Sequence, residues 1–99
     1  MIMMFGIKNI VLEEIVALGN KYRVDKIILF GSRARGDFRR TSDIDLAVAG
    51  GDFTNFALDV EETTSTLLKF DVVNLDGPVQ EELLNNIQKE GVVIYEKVH

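Results

Sequence analysis

Apolar residues recur along the chain at two different spacings, and the switches between them mark out its elements. From Ile7 to Tyr22, Ile7, Ile10, Val11, Ile15 and Leu18 share one side of a helical wheel, with Glu13 and Glu14 on the other. That spacing predicts a first helix, stopped at Gly19-Asn20. Lys26–Phe30 is a short continuous apolar run ending at Gly31, the pattern of a strand buried on both faces. Gly31 to Ser42 is polar and arginine-rich, long enough for one helical turn or two. Asp43-Ile44-Asp45-Leu46-Ala47-Val48-Ala49 alternates at its start and runs into Gly50-Gly51, which predicts a second strand and a turn. Phe53 to Leu68 reads as a helix through Phe53, Phe56, Ala57, Val60 and Leu67, although Thr63-Thr64-Ser65-Thr66 are mediocre helix formers. Phe70 to Leu75 is a further strand, broken by Asp76-Gly77-Pro78, with Pro78 where a first helical residue should sit. Val79 to Glu90 is an amphipathic helix closed by Gly91, and Val92 to Tyr95 is a last strand.

The order αβ(α)βαβαβ predicts an α/β fold: a mixed β-sheet of about four strands packed with helices. At 99 residues and 46% hydrophobic content, the expectation is a single small domain, residues 1–99, with no linker, repeat or low-complexity tract. A separate acceptor-binding domain does not fit in that length, so whatever the chain acts on is small or brings its own docking surface.

Composition removes several classes of function. Eleven basic residues against sixteen acidic ones give a net charge of -5, which repels a phosphate backbone and disfavours generic nucleic-acid binding. Without cysteine there is no disulfide framework, thiolate zinc site or thiol nucleophile. Met1-Ile2-Met3-Met4-Phe5 lacks the basic flank and cleavage site of a signal peptide, and no apolar run approaches membrane-spanning length. The expectation is a soluble cytoplasmic protein with no membrane partner.

Three features carry chemistry. Gly31-Ser32 follows a buried strand at the mouth of the arginine-rich turn, where glycine admits close approach to backbone N–H groups and serine adds a donor. Arg33, Arg35, Arg39 and Arg40, offset by Asp37, make residues 31–40 locally basic at net +3; the bland reading is a polar turn with exposed arginines. Asp43-x-Asp45 sends two carboxylates from one face of a strand. Like charges side by side are costly without a cation, and oxygen donors suit Mg²⁺; the bland reading is a capping pair on an edge strand. Asp71 opens a strand that can bring it beside Asp43 and Asp45, or it is a turn residue.

Gly31-Ser32, ten residues, Asp43-Ile44-Asp45 and a later Asp71 resemble the DNA polymerase β-like nucleotidyltransferase superfamily. Within it, GSRARGDFRRTSDIDLAV and the short chain are similar to the minimal nucleotidyltransferases (MNT). The resemblance implies a nucleoside-triphosphate site. Gly31 and Ser32 would bind the β- and γ-phosphates, assisted by Arg33 or Arg35. Asp43, Asp45 and Asp71 would hold two Mg²⁺ ions and act as the catalytic acids, with Asp71 orienting or deprotonating the acceptor hydroxyl. Arg39-Arg40-Thr41 stands where relatives often carry Arg-Pro-Asp, which puts the loop conformation in doubt. Because minimal members are paired with HEPN toxins, the resemblance further implies ATP as donor, a tyrosine of a HEPN toxin as acceptor, and an antitoxin role. Two alternatives stay open: an antitoxin that acts by binding alone, and nucleotidyl transfer to a small molecule or an RNA end. Homo-oligomerisation stays open too. His99 at the terminus, Tyr22 and Tyr95 as packing residues, and the pairs Glu13-Glu14, Glu61-Glu62 and Glu81-Glu82 as solvated helix faces are given no catalytic role.

Overall fold

The computed structural model describes residues 3–98. Strands β1 (Met3–Met4) and β2 (Ile7–Lys8) form an antiparallel hairpin, followed by α1 (Asn9–Lys21), β3 (Lys26–Phe30) and the short α2 (Gly31–Arg35). Then come β4 (Ile44–Ala49), α3 (Phe53–Thr63), β5 (Phe70–Asn74), α4 (Glu81–Glu90) and β6 (Val92–Glu96). The main sheet has the order β5-β4-β3-β6. β3 runs antiparallel to β4 and β6, whereas β4 and β5 are parallel, with α3 supplying the crossover a parallel pair requires.

Alternation along β4 divides the core in two. Ile44, Leu46 and Val48 pack with Ile7, Val11 and Ile15 near α1 and with Phe56 and Val60 of α3. Ala47 faces the other way, toward Phe30, Ile87, Val73 and Leu83, under α4. Each fully buried large apolar side chain here contributes roughly 1.5–3 kcal/mol. Asp52 caps α3 by accepting the Asn55 N–H at 3.3 Å.

Several expectations are corrected by packing. Ile7 belongs to β2 rather than to the first helix, and Ile10 is half exposed. Gly19 does not stop α1 but lies buried inside it, where a Cβ would come within 2.9 Å of Ile27 Cδ1; the chain turns later, at Arg23 with φ 57. The threonine-rich run ends α3 at Thr63, so Leu67 leaves the helix and is fully exposed. Pro78 lies ahead of α4, whose N-cap is Gln80.

Candidate active site

Asp45 is the second residue of β4 and Asp43 immediately precedes the strand, so their spacing directs both toward the face that Ala47 shares. The parallel ladder makes Asp71 of β5 the Cα partner of Asp45. All three expected acids therefore belong to one face, at the end of the sheet beyond the cluster formed by Ala47 and Ile87. Asp45 is half-buried; Asp43 and Asp71 are exposed.

Phe30 pairs with Asp45 across β3 and β4, and Gly31 turns the chain away with φ 76. A Cβ on Gly31 would come within 2.1 Å of Asp45 Oδ2. Glycine at this position is thus what allows the carboxylate to lie against the backbone. Ser32 is half-buried in the first turn of α2, which starts without a side-chain cap. Burial, followed by the charges of Asp71 and Asp43, pushes the Asp45 carboxyl up to about 6, while Arg35 acts in the opposite direction. The hydrogen bonds that order this neighbourhood end on carbonyl oxygens, Ser42, Asp37 and Glu90 rather than on the three acids.

The two candidate arginines have opposite fates. Arg35 is exposed; its Nη1 donates to Glu90 Oε1 and Oε2 at 3.1 and 3.0 Å, and its Nε donates to Asp37 at 3.3 Å. It remains a cation beside Asp45. Arg33 is 1% exposed and its guanidinium points inward. Nε and Nη2 donate to the Ser42 carbonyl at 3.0 and 2.9 Å, Nη2 also to Arg40 O at 3.2 Å, and Nη1 to Phe5 O and Gly6 O at 3.1 and 3.2 Å. The guanidinium also stacks on Phe38, 5.0 Å from the ring centroid. The expectation that Arg33 assists the phosphates is corrected: its donors are already engaged, and it fastens the segment leading into Asp43 to the N-terminal hairpin. Burial lowers its pKa, and the charges of Asp43 and Asp45 raise it.

Glu90 of α4 is a site neighbour that sequence reasoning missed. It holds Arg35 and itself raises the Asp45 pKa. Fifty-five residues separate it from Arg35, and no motif links the two.

The donor chemistry fits a hard divalent cation: carboxylate oxygens, one of which is costly to ionise without a neighbouring positive charge. Among the described residues no group of three such side chains is already gathered around a single point; Asp45 and Asp71 are ladder partners, and Asp43 lies two positions before Asp45.

This architecture, with a glycine-serine turn facing two ladder-paired acidic positions, can be compared with known proteins. The family "Polymerase beta, Nucleotidyltransferase" matches residues 13–99. A curated protein of Methanocaldococcus jannaschii, named as protein adenylyltransferase MJ0604, is 40% identical over 94 residues, covering 84% of this chain and 92% of that protein. A crystal structure described as a toxin-antitoxin with AMP-PNP superposes with a TM-score of 0.71 at 23% identity, over 87% of this chain and 73% of the other. Two structures of variants of the toxin-antitoxin MntA-HpeT give TM-scores of 0.70 and 0.67 at 21% and 22% identity, over 87% and 86% of this chain and 73% and 72% of theirs. At those identities the structural likeness speaks for the fold. The chain belongs to the polymerase beta nucleotidyltransferase family, and it is a nucleotidyltransferase. No helix among the described residues is long and apolar enough to cross a membrane.

Proposed function

We propose that the chain transfers AMP from ATP to a hydroxyl, that of a tyrosine on a partner toxin of the HEPN kind, and thereby serves as the antitoxin. The observation that carries this reading is the pairing of Asp45 with Asp71 across the ladder, with Gly31 turned against Asp45. The relative named as a protein adenylyltransferase supports a protein acceptor, and the toxin-antitoxin neighbours support the role. One MntA-HpeT variant carries two Asp→Glu changes two positions apart, the spacing of Asp43 and Asp45, and another carries a Tyr→Ala change.

In this reading the acceptor oxygen bonds to the α-phosphorus, the bond to the β-bridging oxygen breaks, and pyrophosphate leaves. Gly31 and Ser32 bind the β- and γ-phosphates, with Arg35 as the available cation. Asp71 orients the acceptor hydroxyl and takes its proton. Asp43, Asp45 and Asp71 would hold Mg²⁺, two ions in all, which when bound neutralise charge on the attacking and leaving oxygens.

Mass measurement of the protein encoded beside this chain, after co-expression, tests the reading: added AMP units are expected. An Asp43→Asn/Asp45→Asn double variant should leave that protein unmodified and toxic. A double variant that still protects cells as well as wild type would instead establish neutralisation by binding alone.

A further inference from the structure

A cavity of about 760 Å³ opens beside Asp43. Ile7, Val11 and Leu68 give it an apolar lining, and residues 65–69, which lead from α3 into β5, form one of its walls. That wall is a loop pinned from outside. Glu14 of α1 accepts both the N–H and the hydroxyl of Ser65, each at 2.7 Å, and Glu61 of α3 accepts the Phe70 N–H at 2.9 Å. Leu67, on the same wall, is fully exposed. Lys8 and Lys69 also line the cavity, two positive charges on a chain of net charge -5.

We propose that this groove seats the acceptor: an extended, acidic and apolar segment of the partner polypeptide that presents its hydroxyl at the Asp43 end of the groove. The inference rests on the transfer reading above and names the partner-binding surface of that site. Three observations support it. Asp43 belongs both to the groove and to the acid cluster, so the groove meets the acids at the end of the sheet, through Asp43. Gly31, Ser32 and Arg35 do not line the groove, so a segment seated there leaves the phosphate-binding candidates uncovered. The volume lies within the range of built binding sites, and the lysines complement acidic residues, which favours recognition and orientation of such a segment. The pinned loop lowers the ordering cost of binding.

The test uses the intact chain and the separately purified protein encoded beside it, with Leu67→Asp, Lys69→Glu and the double variant. Thermal unfolding checks that each variant folds; Leu67 buries no surface that its replacement would lose. Binding is measured without nucleotide, and transfer is followed with ATP labelled at the α-phosphate. The double variant should weaken binding at least tenfold and raise the half-saturating acceptor concentration correspondingly, with the KM for ATP within twofold of wild type. Unchanged binding and acceptor dependence would overturn the proposal. So would a raised ATP KM in place of the acceptor effect, because the groove would then hold the nucleotide. Failure of the wild-type chain to bind the neighbouring protein at all would overturn it as well. If the wild-type chain binds that protein but does not label it, the transfer reading falls, and the binding measurements still decide the groove.

Discussion

Two glycines, one near each end of β4, lie against carboxylates in almost the same way. Gly50, with φ 77, sits where a Cβ would come within 2.2 Å of Asp25 Oδ2, and its N–H donates to Asp76 Oδ2 at 2.6 Å. Gly31, with φ 76, sits where a Cβ would come within 2.1 Å of Asp45 Oδ2. The surroundings differ. Asp25 and Asp76 are exposed, and Asp76 takes a backbone hydrogen bond. Asp45 is half-buried, crowded by Asp71 and Asp43, and pushed up to about 6. One end uses its acid to close a turn; the other keeps an acid in a charged state the fold alone disfavours. A group held at such a cost is a mark of function rather than of folding.

Substitution of the two glycines is the strongest way to break this comparison. Gly31→Ala should lose transfer by a hundredfold or more, because it displaces Asp45 as well as straining the backbone. Gly50→Ala should leave transfer near wild type. Urea unfolding should show a loss of about 1–2 kcal/mol for each.

The buried arginine sharpens the comparison from the other side. Arg33→Met should cost about 3 kcal/mol, since it strands the carbonyls of Ser42, Arg40, Phe5 and Gly6. Arg33→Lys should recover little of that, because an ammonium cannot reproduce the planar fork. Arg35→Met, which removes exposed ion pairs, should cost under about 1 kcal/mol in the same assay.

Asp45→Asn should stabilise the fold while abolishing transfer. The folded chain binds the Asp45 proton more tightly than the unfolded one, so ionising Asp45 costs the native state. That cost is absent below the ordinary carboxylate value of 3.8 and complete above about 6. The variant should therefore match wild type near pH 3.5 and exceed it by about 2 kcal/mol above pH 6.5 in chemical denaturation, with allowance for solvent screening.

Mg²⁺ should give the smallest effect: a rise of a few degrees in Tm at pH 7.5, less at pH 5 where Asp45 holds its proton, and none in the Asp43→Asn/Asp45→Asn variant. Differential scanning calorimetry with and without a chelator measures it.

The main sheet was legible because β3 and β4 are buried runs bounded by glycine, and because a period of two directs Asp43 and Asp45 to one side whatever the tertiary context. The relation of Asp71 to Asp45 was legible only as an option, since register depends on the crossover through α3. The hairpin was hidden. Its two-residue turn places Phe5 and Gly6 at φ 58 and 68, a primed turn that normally announces itself with Asn-Gly or Asp-Gly. Phenylalanine is a poor cue for a left-handed backbone, and what stands behind it here, the Arg33 fork on both carbonyls, comes from far along the chain. Arg33 was misread for the same reason: residue type predicts a phosphate ligand, whereas burial decides which oxygens it meets.

That fork has a practical corollary. Similarity to the family begins at residue 13, yet two of the oxygens that hold Arg33 come from Phe5 and Gly6. Trimming the protein to its recognisable border would leave guanidinium hydrogens without partners and loosen the strap on which Asp43 is hung. The homologous segment and the mechanical unit are not the same length, and the surplus at the front works as a buckle.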